Sequence, residues 1–398
     1  MTSAVPELDY PVQREQPLHP PCQYARLREE QPVCPVKLVT GHTAYLVTRY
    51  EDVRRVLSDA RFSREALFQD GAPRAQLIEP DSDSLISMDA PRHTLLRQLI
   101  NREFTPRRVE LLRPRIAALV DALLDRMGER GPVVDLNAAF SRPLAMGIIC
   151  ELLGIPAEDQ EKFVSWADHF TSLRKYTGAE MARSNEEMRA YFLRLIEEKR
   201  RHPGEDLLSA LVAAMDEGNR LTLRELVSLG VILVLAGHDT TVTAMNGGTV
   251  LLLEHPDQLE AFRSGPEAVR SAVEEIVRMA TPGDGIFMRV TLEDVELSGT
   301  VVPAGSGVIA PISAANRDPS VFEDPDSFDI GRVANPHIGF AVGTHFCAGS
   351  ALARAELEIG LEALFRRFPS LRLAVDAKEL SWRHYSHLGG FEELPVTW

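Results

Sequence analysis

Of the four cysteines in the chain, Cys22, Cys34, Cys150 and Cys347, the last lies in a setting suited to chemistry. It sits in His337-Ile338-Gly339-Phe340-Ala341-Val342-Gly343-Thr344-His345-Phe346-Cys347-Ala348-Gly349, a glycine-punctuated loop just ahead of a helical run over residues 351–368. Free backbone N–H groups at a helix start and the positive end of its dipole favour a thiolate there. Gly343 and Gly349 are expected to let the backbone turn tightly and approach a bulky partner. Such a thiolate is suited to holding a soft or redox-active iron. A lone cysteine is more commonly a small buried hydrophobe, so other residues must decide.

Three further groups of residues bear on that choice. Ala236-Gly237-His238-Asp239-Thr240-Thr241 places small residues, against which a flat group can lie, beside an acid and two hydroxyls. A threonine hydroxyl inside a helix can leave the i−4 carbonyl partly unbonded and open a kink, where Asp239 and Thr240 would pass protons. The plain alternative is a back-bonding threonine beside an acid in a salt bridge. Glu275 and Arg278 stand three apart on one helix face, spaced for a bidentate pair. His93, Arg97, Arg289 and His345 are scattered cations able to neutralise two carboxylates of a buried planar cofactor, since an unpaired buried charge is expensive.

The elements that must position these residues are mostly helical. Apolar periodicity and punctuation predict helices over 23–30, 51–57, from 91 onward, 106–127, 136–153, 157–172, 179–201, 207–217 and 266–279. The longest opens on Thr222-Leu223-Arg224-Glu225, a capping-box pattern, and runs to residue 254. Its first half is apolar enough for a membrane span, but the polar centre at His238–Thr241 with Asn246 argues for a helix buried through a protein core. A hairpin is expected over 33–48 around Thr40-Gly41-His42, with short strands at 289–302, 307–311 and 371–398. The sheet component is expected to be small and early. Residues 65–87 lack a period and are read as a functional loop.

The chain has 398 residues, 44% of them hydrophobic, and shows no linker, repeat or low-complexity tract, so one large, mainly α domain with small sheets is expected over 1–398. The net charge of −15 argues against broad nucleic-acid binding. A local cluster, Arg102, Arg107, Arg108, Arg113 and Arg115, is either a docking patch or a solvated helix face. The wide cysteine spacing fits neither a disulfide framework nor a zinc site and suits a reducing cytosol. No signal-peptide pattern or membrane anchor is readable in residues 1–21. A cytoplasmic monomer is the expectation.

In this order and spacing the motifs resemble those of the cytochrome P450 superfamily, the heme-thiolate monooxygenases, most closely the soluble bacterial class. The resemblance is carried by Phe340 to Gly349 with Leu352-Ala353-Arg354, by Ala236 to Thr241 and by Glu275 to Arg278. Met88 to Thr94, Arg107-Arg108-Val109 and Ala315 to Pro319 add to it. It implies a triangular helical prism around a buried heme b, with Cys347 as axial ligand to the iron and Phe340 packed near the sulfur. It implies His93, Arg97, Arg289 and His345 as propionate partners, Ala236, Gly237 and Gly349 against the cofactor, and Asp239 with Thr240 as the proton supply for dioxygen activation. Glu275, Arg278 and Arg332 would form a structural triad.

The activity implied is insertion of one oxygen atom from O2 into a bulky apolar molecule, such as a macrolide, polyketide, terpenoid or peptide product. Desaturation, oxidative coupling or a heme sensor are the alternatives. Electrons would come from NAD(P)H through a ferredoxin reductase and a ferredoxin, docking at the arginines of 102–115 with Arg354. The substrate is expected to face residues 65–87, 163–177, Ile232, Leu235, Gly285, Ile286, residue 287, Leu388 and residues 389–391. One departure stands out: the family usually has Gly where this chain has Ala341, which is expected to strain the loop or shift hydrogen bonding at the sulfur.

Overall fold

The computed structural model describes residues 8–75, 81–173, 175–218, 220–283, 288–386 and 388–398. Its organising element is the central helix Leu223–Glu254, 32 residues and about 48 Å long at 1.5 Å per residue. The expected capping box forms in both directions: Thr222 Oγ1 accepts from the Glu225 amide (3.2 Å), and Glu225 Oε2 accepts from the Thr222 amide (2.7 Å). Glu225 also receives the guanidinium of Arg92, which ties the start of this helix to the helix Arg92–Asn101. By length and composition this helix could cross a membrane, but 83% of its apolar window is buried within the chain, as a core helix requires.

Helices Pro106–Gly128, Arg142–Leu153, Gly178–Arg201, Pro266–Met279 and Ser350–Arg367 pack around it or onto one another. Close crossing depends on missing side chains: a Cβ at Gly230 would lie 2.6 Å from the Phe192 ring, and one at Gly248 would lie 2.8 Å from Ile276 Cδ1. The principal core between these helices is built from leucine, isoleucine, valine and phenylalanine side chains of all five. Burial of this kind is the main favourable term in folding.

Among the described residues the main sheet has six strands in the order Leu8–Tyr10, Val33–Leu38, Thr43–Val47, Gly307–Ile309, Arg289–Thr291 and Phe62–Ser63. The hairpin of 33–47 is where the sequence places it. The sheet as a whole is not early, because Arg289–Thr291 and Gly307–Ile309 return from the C-terminal half to complete it. Strands of two or three residues carry no readable period.

Other boundaries move for local reasons. The region 136–153 is a π-helical turn, Asn137–Ser141, followed by the helix Arg142–Leu153, with Pro143 in the first turn where its missing N–H is harmless. Residues 157–159 form a 3-10 turn ahead of Gln160–Thr171. The short helix Pro256–Phe262 has no counterpart in the sequence reading; Pro256 ends one helix and starts the next at its first turn.

Candidate active site

The loop ahead of Ser350–Arg367 holds Cys347 in a half-buried position. It is a compact turn: the Cys347 amide donates to the Phe340 carbonyl (2.9 Å), and the Ala341 amide to the Ile338 carbonyl (2.8 Å). Gly343 has φ +73°, and a Cβ there would lie 2.7 Å from Ser58 Cα, so only glycine lets the loop rest on the helix Tyr50–Ser58. Gly349 differs from expectation. Its φ of −84° is open to any residue, and nothing but the Phe104 ring edge, 4.0 Å away, meets a Cβ built there.

Ala341 takes the place of the expected glycine with φ +57°, a left-handed conformation unusual for alanine. The loop keeps its hydrogen bonds, so strain is held at one residue and the turn is not rebuilt. Cys347 also corrects a simple expectation. Burial pushes its thiol up, against the Gly349 amide and the Arg97 and Arg354 guanidiniums, which pull it down. The helix start alone therefore does not make the thiolate; coordination to a metal ion would, because a coordinating thiol is deprotonated outright.

Basic side chains gather at the loop, His345 from the loop itself with His93, Arg97, Arg289 and Arg64 around it. His93 and His345 lie with ring centroids 4.3 Å apart, and neither ring nitrogen of the buried His93 has a hydrogen-bond partner. Arg97 reaches the Phe346 carbonyl and Asn101 Oδ1 (2.7 Å). Buried Arg289 stands close enough to His345 and Arg64 to repel both. Burial, then Arg97, pushes His93 down to about 4; burial, then Arg289, pushes His345 down to about 2. Asp89, a carboxylate that acts on both His93 and Arg289, is taken up by Ser63 and by the Arg64 amide (3.1 Å). Arg64 belongs to this cluster, donating to Met288 and Ile86 carbonyls at 2.8 Å each, and nothing in its sequence surroundings marks it.

Glu275 and Arg278 are almost fully buried and form the bidentate pair that their spacing allows, at 2.8 and 2.7 Å. Arg278 also donates to the carbonyls of Asn316 (2.9 Å), Pro325 (2.6 Å) and Ser327 (3.0 Å). Arg332 joins from the meander, 3.4 Å from Glu275. These three side chains gather the irregular segment 316–332 onto one helix, directly behind the cysteine loop.

On the central helix, Ala236 is exposed and Gly237 and Thr240 half-buried in an otherwise buried stretch. Ile232, Ala236 and Thr240 recur at i, i+4 and so share a face. Leu235 does not belong with them: one residue turns about 100° round the helix, and it packs into the principal core at 3% exposure. The helix runs unbroken from Leu223 to Glu254, and Thr240 Oγ1 donates back to the Ala236 carbonyl at 2.6 Å. Asp239 points elsewhere, into a buried cluster with Arg383 (3.3 Å), Thr171 (3.4 Å) and His238 (3.7 Å). Burial pushes its carboxyl up, but Arg383, His238 and Arg142 outweigh burial and hold it below its ordinary value. Acid and hydroxyl are thus adjacent in sequence yet differently engaged.

The Cytochrome P450 family model matches residues 160–265 and 267–379. Nocardicin C N-oxygenase of Nocardia uniformis subsp. tsuyamanensis is 44% identical over 383 residues, 96% of each chain. The chain belongs to the cytochrome P450 family. Mycinamicin IV hydroxylase/epoxidase of Micromonospora griseorubida is 41% identical over the full length of both chains. The crystal structure of the putative thioether synthase SgvP, involved in the tailoring step of griseoviridin, superposes with TM-score 0.96 at 43% identity, covering 99% of this chain and 100% of that one. The α+β architecture of this P450 is therefore the family's fold, and its activity is that of a monooxygenase.

The family's cofactor is heme, and the residues present fit it. The unpartnered nitrogens of buried His93 and the cation crowd around Arg289 are what a pair of carboxylates would satisfy.

The expected substrate walls divide. Gly285, Ile286 and residue 287 lie outside the described residues. Leu388 is buried, its carbonyl accepts from the Gly283 amide (3.2 Å), and it lines a cleft with Tyr10, Leu173, Gly283 and Trp382. Phe163 is no wall residue: it is fully buried among Trp166, Tyr191 and Phe192. Leu173, from the same stretch, does reach the cleft.

Proposed function

We propose that this P450 transfers one oxygen atom from O2 to a bulky apolar small molecule of secondary metabolism, by hydroxylation or epoxidation. The observation that carries the reading is the half-buried Cys347 in one loop with His345, whose ring lies against a buried His93 that has no hydrogen-bond partner, with Arg97 and Arg289 close by. In this reading Cys347 is the axial ligand and those four side chains, with Arg64, hold the propionates. Ala236 leaves room for the flat ring, whereas the missing side chain of Gly237 makes way for Ile149, which a Cβ there would meet at 3.1 Å; Glu275, Arg278 and Arg332 hold the protein behind it. Heme, when bound, supplies the oxygen chemistry. The chain's own residues orient the substrate, exclude water and supply protons, with Asp239 and Thr240 as the proton-bearing pair.

The relatives' names support the substrate class: mycinamicin IV hydroxylase/epoxidase and 6-deoxyerythronolide B hydroxylase are similar along nearly their whole length. A second reading, transfer to nitrogen or formation of a thioether, is supported by the names nocardicin C N-oxygenase and thioether synthase. Titrating the heme-loaded protein with macrolides, polyketides and nocardicin C tests both. A spin-state change with a macrolide or polyketide favours the first and with nocardicin C the second, whereas silence with all of them removes both readings.

Electrons are proposed to come from NAD(P)H through a ferredoxin reductase and a ferredoxin, in the cytoplasm. The dock differs from the sequence expectation. Arg108 is paired with Glu103, Arg113 with Glu110 and Glu358, Arg115 with Glu151, and Arg354 with Glu274. Arg102 and Arg107 are exposed and carry no ion pair among the described residues, so they are the arginines left for an acidic partner. Charge reversal at these two is expected to slow ferredoxin-supported turnover and flatten its salt dependence; unchanged turnover counts against the dock.

A further inference from the structure

Glu274 stands immediately before Glu275 but takes no part in the buried network that Glu275 makes. Its carboxylate receives two hydrogen bonds from Arg354, at 2.5 and 2.9 Å, and faces His337 Nε2 at 2.9 Å. Arg354 belongs to the helix that follows Cys347, and its guanidinium carbon lies 4.4 Å from the centroid of the Phe340 ring. The carbonyl of Phe340 accepts the Cys347 amide at 2.9 Å, and His337 Nδ1 accepts the Gly339 amide at 3.2 Å. One carboxylate thereby ties the helix Pro266–Met279 to both sides of the ligand loop.

The geometry sets the position of a charge. A bidentate carboxylate and an aromatic face together leave the planar guanidinium little freedom. Arg354 therefore carries its charge to the ligand loop at Phe340, the residue whose carbonyl holds the Cys347 amide. Glu274 is held down to about 2: burial opposes this, but Arg354 and His337 outweigh it, so the pair is ionised throughout the neutral range. Its two side chains are only about a third exposed, 32% for Arg354 and 33% for Glu274, so water screens it incompletely.

We propose that Glu274 and Arg354, plated against Phe340, act on the Cys347 sulfur as two opposed charges, each holding the reduction potential of the bound iron against the pull of the other. The inference rests on Cys347 as the axial ligand. Reduction adds one electron, delivered by the redox partner, and makes the site one unit more negative. A nearby positive charge therefore raises the potential and a negative one lowers it. In the intact pair the two effects largely offset.

The test is spectroelectrochemical titration of the heme-loaded full chain in three variants, Glu274→Gln, Arg354→Gln and the double variant. E274Q leaves Arg354 uncompensated and raises the midpoint potential. R354Q leaves Glu274 uncompensated and lowers it. The double variant returns towards the wild-type value. Potentials that move in the same direction in both single variants, or do not move, overturn the proposal. So does a loss of heme in both single variants that the double does not regain, since the pair would then be structural. The ferrous–carbon monoxide band of the wild-type protein tests the ligand separately: without a thiolate band Cys347 itself fails, whereas a normal band with unmoved potentials removes only the role of the pair.

Discussion

Arg383 places both terminal nitrogens of its guanidinium on one oxygen of Asp239, at 3.3 and 3.4 Å, and so joins the C-terminal loop to the middle of the central helix. The loop closes tightly over it: Gly390 has φ +99°, and a Cβ there would lie 2.8 Å from both Arg383 Nη2 and Thr243 Oγ1. The acid of the central helix is therefore held by the same loop whose Leu388 lines the cleft beside Gly283.

The first prediction follows from that pair. Asp239 is held below its ordinary value, so its contribution to stability is present above the unfolded carboxyl's pKa and is lost as pH falls through the folded value. Arg383→Gln strands a buried carboxylate and is expected to destabilise by about 3–5 kcal/mol at neutral pH. The carboxyl then moves up, so the penalty shrinks as pH is lowered and the group is protonated. Urea unfolding of wild type and R383Q at pH 7 and pH 5 checks both size and sign; a penalty that grows towards acid contradicts the assignment.

Arg278 makes five hydrogen bonds to oxygen in a planar fork, two to Glu275 and three to backbone carbonyls. Lysine has three donors and no fork, so Arg278→Lys should leave buried acceptors unmet, at about 1–3 kcal/mol for each group left unsatisfied. The expected result is a low yield of folded, heme-loaded protein. Circular dichroism and heme content of R278K check it; a variant that matches wild type in both shows that the network does not hold the meander.

Arg289 should have opposite effects in the two states of the protein. Without a bound anionic group it crowds His345, His93 and Arg64, and with one it becomes a counter-ion. Arg289→Met is expected to raise the unfolding midpoint of heme-free protein and to weaken heme binding about tenfold or more, the loss of one charge-assisted contact of about 1.5–3 kcal/mol. Heme titration and thermal unfolding of R289M in both forms check this. Equal destabilisation of the two forms would make Arg289 merely a core residue.

At Ala341 two small terms oppose each other. The left-handed backbone costs about 1–2 kcal/mol for a residue with a Cβ. The methyl, buried beside Tyr50, Val53 and Ile338, returns about 0.8 kcal/mol. Ala341→Gly should therefore change stability by no more than about 1 kcal/mol, in the stabilising direction. A loss greater than that, measured by denaturant unfolding, would show that the methyl does more than fill space.

What the sequence disclosed was local. The Thr222–Glu225 box, the 33–47 hairpin and the E-x-x-R pair each depend on residues a few positions apart, and each lies where periodicity or spacing put it. The joining of Arg289–Thr291 to Phe62–Ser63 depends on residues more than two hundred positions apart, in strands too short to show alternation. Separation in sequence likewise hides Arg64, 224 positions from Met288, and Arg383, 144 positions from Asp239. Leu235 and Phe163 are apolar residues whose position in the sequence suits a pocket wall, but helix rotation in one case and an aromatic cluster in the other turn them into the core. Glu274 was overshadowed by its neighbour, since spacing alone could not show that adjacent acids serve separate networks.

The central claim is that Cys347 is the thiolate ligand of a heme held in this site. The most direct measurement is the absorption spectrum of the purified protein, reduced and exposed to carbon monoxide. The account predicts a Soret band at the long wavelength typical of thiolate-ligated ferrous heme, absent in Cys347→Ala. A band typical of histidine ligation, no heme at all, or a thiolate band that survives in C347A would contradict it.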